Sequence, residues 1–175
     1  HDSLTWRSRL ADMTLVPNLA KDGDPRASET LHAILFDSGR PLLIAPPTAP
    51  KTIGKRIAIA WNGTPEASLA LRCILPWAHK AEAVQVLTCQ DYQRRGPGAD
   101  EVVTYLRMHG ISATAREFEA VNRDIGAGLL KAATEFNADM LGMGAYSHSR
   151  LRQMILGGVT RHILEQAQLT VLMSR

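Results

Sequence analysis

The strongest chemical signal in the chain is a pair of glycine-bearing stretches near its C-terminus. Gly142-Met143-Gly144-Ala145-Tyr146-Ser147-His148-Ser149-Arg150 leaves a strand-like run, and Gly157-Gly158-Val159-Thr160 opens a helix-like one. Glycine lets backbone N–H groups approach a ligand closely. The first turn of a helix adds unpaired donors and a positive dipole end. That combination suits an anion such as a phosphate. His148 and Arg150 lie inside the loop and are placed to add charge-assisted hydrogen bonds. Arg152 and Arg161 add at most to the field. Asn62 ends an earlier strand, and ligands of open parallel sheets sit beyond such strand ends. Tight turns and close helix packing explain the same glycines equally well. Tyr146 divides likewise between stacking on a base and standing exposed on a loop.

Other constellations fall short. Gly142-x-Gly144-x-x-Ser147 imitates a dinucleotide fingerprint, but that fingerprint follows the first strand of a βαβ unit and this one lies near the chain end. Gly54-Lys55 lacks the upstream glycine of a Walker loop. The six histidines have no metal-ligand spacing with carboxylates or cysteines, and His162 reads as a partly packed surface residue. Ser147 and Ser149 have no assignable base or orienting acid. Trp61 and Trp77 read as core.

The elements that must position these residues follow from periodicity. Pro46, Pro47 and Pro50 mark an extended linker, because proline fixes φ and donates no ladder hydrogen bond. After it, short apolar runs predict five strands: Ile57–Trp61, Val84–Cys89, Ile111–Phe118, Asp139–Gly144 and Leu169–Met173. Helical spacing lies between them, at Ala67, Leu71, Ile74 and Ala78, for example. Asn62-Gly63-Thr64-Pro65 turns the chain, with Thr64 as N-cap and Pro65 at the first helical position. Strands alternating with helices predict an α/β fold: a doubly wound five-stranded parallel sheet with helices on both faces.

The first 47 residues read as a strand (Met13–Val16), a helix (Glu29–Phe36) and a strand (Leu42–Ala45). Ala11-Asp12-Met13 recurs as Ala138-Asp139-Met140, and the same order of elements follows both. The chain thus reads as the last third of one unit (1–47), a linker (48–55) and one whole unit (56–175). The expectation is a first repeat shortened by design or by proteolysis. An apolar edge at Leu42, Leu43 and Ile44 is then a template for pairing, and Leu42–Ala45 and Thr170–Met173 are equivalent strands expected to pair between two copies.

Composition narrows the class. The 175 residues carry a net charge of +3, 45% apolar and 21% charged residues, which excludes disordered and collagen-like chains. Aromatic residues make up only 5%, few for stacking the bases of a single strand, so no nucleic-acid partner is expected. No apolar run is long enough to span a bilayer, and no signal-like block opens the chain, so the expected location is cytoplasmic. Cys73 and Cys89 form no Cys-x-x-Cys pair and read as packed, reduced thiols.

At this point the sequence resembles the universal stress protein family, whose nucleotide motif is Gly, two residues, Gly, nine residues, Gly, then Ser or Thr. Here it reads Gly144, two residues, Ser147, nine residues (His148 to Leu156), Gly157, Gly158. The resemblance covers Arg56 to Arg175 in element order, and residues 1–47 look like the end of a tandem member's first domain. It implies a stress-response protein, non-catalytic, that binds an adenine nucleotide such as ATP and forms a homodimer through its terminal strands. The implied binding residues are Asn62, Gly144, Ser147, His148, Arg150, Gly157, Gly158, Val159 and Thr160. Ser147 replaces the family's second glycine, Gly158 its hydroxyl residue, and Asn62 the acid that usually ends the first strand, which implies weakened binding. A slow ATP-hydrolysing or adenylate-using enzyme, and a dimerisation module with no ligand, are the alternatives.

Overall fold

Ile57 and Ile59 alternate with Ala58 and Ala60 along one strand, and all four side chains are buried. Such a strand is covered on both faces and sits in the middle of a sheet. The computed structural model, which describes residues 2–18, 25–146 and 158–175, places it there. The elements in chain order are α1 (Asp2–Ser8), β1 (Thr14–Pro17), α2 (Pro25–Asp37), β2 (Leu42–Ala45) and β3 (Arg56–Ala60). Then follow α3 (Pro65–Ala78), β4 (Ala83–Thr88), α4 (Ala99–Met108), β5 (Thr114–Glu117), α5 (Ile125–Glu135), β6 (Met140–Gly144), α6 (Gly158–Gln166) and β7 (Thr170–Ser174). They form one seven-stranded sheet in the order β1-β2-β7-β6-β3-β4-β5.

Strands β3 to β7 are the expected parallel, doubly wound set. One face of the sheet presents Ile57, Ile59, Val84, Val86, Met140 and Leu172 to α3 and α4. The other presents Ala58, Ala60, Leu87, Leu141 and Met173 to α2, α5 and α6. Alternation within each strand therefore fills two cores with one sheet. The chain turns into α3 as the sequence suggests. Thr64 Oγ1 accepts the Ala67 N–H at 3.3 Å, and Pro65 fills the first helical position.

The structure departs from expectation in four places. The sheet has seven strands rather than five, because β1 and β2 join it. The expected open edge at Leu42, Leu43 and Ile44 does not exist, since these side chains are buried at 0%, 9% and 2% exposure. Strand β2 pairs antiparallel with β7 of the same chain, in the register Leu42↔Met173, Leu43↔Leu172 and Ile44↔Val171. The two strands expected to pair between copies thus pair within one chain. The third expected strand is shorter than Ile111–Phe118. The Ile111 N–H is spent closing α4, on Leu106 O at 2.9 Å, and only Thr114–Glu117 enters the ladder. Helix α1 has no counterpart in the sequence reading. Cys73 and Cys89 are both free thiols. Among the described residues no helix is long and apolar enough to cross a membrane.

Candidate functional site

Strands β3 and β6 are neighbours, paired Ile57↔Met140, Ala58↔Leu141 and Ile59↔Gly142. The chain leaves β3 towards β4 on one side and β6 towards β7 on the other, so the crevice beyond their C-terminal ends is the topological switch point of the sheet. Asn62 follows β3, and Gly144, Ala145 and Tyr146 end or follow β6. The first turn of α6 begins at Gly158. The Tyr146 N–H donates to Thr160 Oγ1 at 3.4 Å, which brings the exit of β6 against that turn. Ala145 N–H is fixed to Ser174 O on β7 at 2.9 Å. Thr160 thus meets the exit of β6, with Gly144 and Val159 close to that contact in the chain. Ser147, His148, Arg150 and Gly157 lie outside the described residues, as does Arg152.

The glycines separate by physical role. A Cβ at Gly144 would stand 2.5 Å from Ala67 N and from the Glu66 carbonyl carbon, so close packing of α3 on β6 already demands glycine. A Cβ at Gly158 meets nothing within 4 Å among the described residues, which make no such packing demand there. Gly63 and Gly96 form a contact the sequence reading missed. A Cβ on Gly96 would lie 2.2 Å from Gly63 O, and Arg94 N–H donates to Asn62 O at 2.7 Å. The 94–98 loop is therefore laid backbone to backbone on the turn after β3.

Asn62 sits where expected, but it is buried at 3% exposure and its side chain is committed. Its Oδ1 accepts from Thr64 Oγ1 at 2.6 Å and from Thr64 N at 3.3 Å. Its side chain also bonds the Tyr92 hydroxyl. Burial pushes the Tyr92 phenol up to about 12, against the pull of the Arg94 guanidinium and that Asn62 hydrogen bond. Asn62 therefore builds the cap of α3 and holds Tyr92 at the crevice. Glu66, which sequence reasoning passed over, stands in the first turn of α3 against the exit of β6 and near Tyr92. Its Oε2 is buried and has no hydrogen-bond partner among the described residues. An orphaned carboxylate oxygen here is an acceptor for a ligand hydroxyl or amine.

Tyr146 neither stacks into open crevice nor stands exposed. Its ring packs on Phe36 and His32 of α2, with centroids 5.2 and 5.6 Å away, and its hydroxyl lies 2.6 Å from His32 Nε2. Burial pushes its phenol up. His162 is partly packed, as expected, with Nδ1 2.8 Å from Asp124 Oδ2. Arg161 is exposed and paired with Glu165 at 2.7 Å. Trp61 is core, with Nε1–H donating to Pro97 O at 2.7 Å, whereas Trp77 is only half-buried. Two cavities lie off the switch point. One, about 410 Å³, opens between α3 and α4 beside Trp61 and Tyr105. The other, about 630 Å³, lies past the ends of β4 and β5 beside Asp91, Glu119 and Arg123. Among the described residues no three His, Cys, Asp or Glu side chains are grouped to hold a metal ion.

A family model described as the universal stress protein family matches residues 54–175. The chain belongs to that family. Among solved structures, it is similar over 99% of its length to a universal stress protein from Archaeoglobus fulgidus DSM 4304, with TM-score 0.73 and 16% identity. This universal stress protein chain spans 66% of the length of that structure, just under two thirds. A functionally unknown protein from Pseudomonas aeruginosa PAO1 is similar over 99% of this chain and 67% of its own, with TM-score 0.64 and 16% identity. A universal stress protein in complex with cAMP is similar over 69% of this chain and 96% of its own, with TM-score 0.50 and 18% identity. At such identities the likeness concerns the fold. No curated protein matches the chain in sequence.

Proposed function

We propose that this universal stress protein is a non-catalytic stress-response protein of the cytoplasm whose switch-point crevice takes an adenine nucleotide such as ATP, with affinity weakened by its altered motif. The observation that carries this reading is the Tyr146 N–H bond to Thr160. It sets the exit of β6 against the first turn of α6, where backbone donors and the helix dipole favour phosphate. The orphaned Glu66 oxygen supports it, since a ribose hydroxyl or an adenine amine would satisfy that acceptor. Ser147, His148, Arg150 and Gly157 enter the reading through the family motif.

Restoring that motif is the test. Where a left-handed backbone is needed, a Cβ costs about 1–2 kcal/mol. A lost hydroxyl contact at position 158 costs about 0.5–1.5 kcal/mol. No described residue comes within 4 Å of a Cβ at Gly158, so none of them stands in the way of serine there. In calorimetry at one salt concentration, ATP binding is expected to be faint in the wild type. It should tighten about 10–100-fold in the Ser147→Gly, Gly158→Ser double variant. Stoichiometric tight binding by the wild type, or no gain in the double variant, would refute the claim that these positions set the affinity. Turnover of ATP by either protein would favour the enzyme alternative.

We also infer that residues 1–47 are the end of a first unit, 48–55 its linker and 56–175 a complete unit. Support comes from the antiparallel pairing of β2 with β7, which joins β1–α2–β2 to β6–α6–β7 as like to like. With β2 on the edge of β7, a homodimer forms through β1 instead. Thr14 N–H bonds Pro41 O, so the N–H and C=O of Leu15 point away from β2. Leu15 is 67% exposed, whereas the other edge, β5, carries Arg116 and Glu117. Sedimentation at tens of micromolar should show a dimer that Leu15→Lys weakens. A strict monomer would contradict this arrangement.

A further inference from the structure

We infer that His32, on α2, is a positioning residue for the exit of β6, acting through Tyr146. Tyr146 has φ 55°, in the left-handed region that is unfavourable for any residue with a Cβ. Such a conformation persists only where its surroundings hold it. Here the hold comes from α2, 114 residues away in sequence. The Ser28 carbonyl lies 2.7 Å from His32 Nδ1, and a carbonyl can only accept, so Nδ1 carries the proton of the neutral ring. His32 Nε2 is then the acceptor, and the Tyr146 hydroxyl donates to it at 2.6 Å. Phe36 closes the ring cluster and is itself covered by the Arg175 guanidinium, 4.2 Å from its centroid.

The consequence is directional. With the ring fixed, the Tyr146 backbone turns its N–H towards Thr160 Oγ1, and the first turn of α6 is tied to β6. Thr160 is 4% exposed, so the tie lies under the surface. Releasing His32 lets the Tyr146 backbone relax and loosens the tie while the β3–β4 ladder stays paired. The inference rests on the nucleotide reading only for its second readout.

Amide hydrogen exchange is the first readout. His32→Leu is expected to speed exchange at Tyr146 by about 10-fold or more while leaving Ile59 and Val86 unchanged, since local openings differ across a structure. Tyr146→Phe should do the same, the double variant should do no more than either, and His32→Gln, which keeps an acceptor, should restore slow exchange. The second readout is ATP affinity in the Ser147→Gly, Gly158→Ser background, expected to fall about 5-fold or more with His32→Leu. Exchange unchanged at Tyr146, exchange faster throughout β3 and β4, or full additivity of the two substitutions would overturn the inference. The expected exchange pattern with no ATP binding by any variant would uphold the role of His32 and overturn the nucleotide reading.

Discussion

Replacing Gly144 with alanine is expected to lower stability by about 2–3 kcal/mol, in the absence of any ligand. The added Cβ would stand 2.5 Å from Ala67 N and 2.8 Å from Glu66 O. These are backbone atoms of the first turn of α3, which cannot swing away as a side chain can. Ala67 N–H is also the donor that Thr64 caps, and Thr64 in turn bonds Asn62. A push at Gly144 therefore reaches the cap and the end of β3 together. Gly158→Ala is the control. Its Cβ meets no described residue within 4 Å, and its stability should stay within about 0.5 kcal/mol of the wild type. Urea midpoints on the two variants decide the matter. If Gly144→Ala unfolds with the wild type, close packing does not explain the glycine, and its place in the motif must rest on ligand approach alone.

Leu164→Asp is expected to be the most damaging change, abolishing soluble expression or costing about 4 kcal/mol or more. Leu164 is 5% exposed on α6, in the core shared with Leu31, Ile34, Leu129 and Ala133. The substitution removes apolar volume and leaves a carboxyl with no partner, whether charged or neutral. Gln166, two positions on, is exposed at the end of the same helix. Gln166→Lys places a cation at a helix C-terminus and should change stability by no more than about 0.5 kcal/mol. Soluble expression and thermal melts compare the pair. Equal melting temperatures would show that α6 presents a different face to the sheet.

The fold was legible wherever burial imposed a period on the residues. The apolar runs of β3, β4, β6 and β7 lie within a residue of their ladders, and Thr64-Pro65 announced the start of α3. Helix α1 was hidden because its apolar Leu4 and Trp6 face outward at 45% and 62% exposure, while Thr5 and Ser8 are the buried residues. The repeat reading set Leu42–Ala45 against Thr170–Met173 as strands that would pair, but local sequence carries no information on whether two edges meet in one chain or between two. The site was legible as a motif and illegible as a set of contacts. Tyr146 finds its partner on α2, Asn62 is spent on Thr64, and the open acceptor is Glu66. The Asn62–Thr64 bond is local to its turn, whereas the Tyr146 contact spans 114 residues of sequence and no local spacing encodes it.

The most direct test of the nucleotide site is a titration of the wild-type chain with ATP, followed by backbone amide resonances. Shifts are expected at Gly144, Ala145 and Tyr146 and at Gly158, Val159 and Thr160, with smaller ones at Glu66, all saturating together. Shifts confined to the groove between α3 and α4, or no shift at millimolar ATP, would contradict a nucleotide site at the β3–β6 switch point.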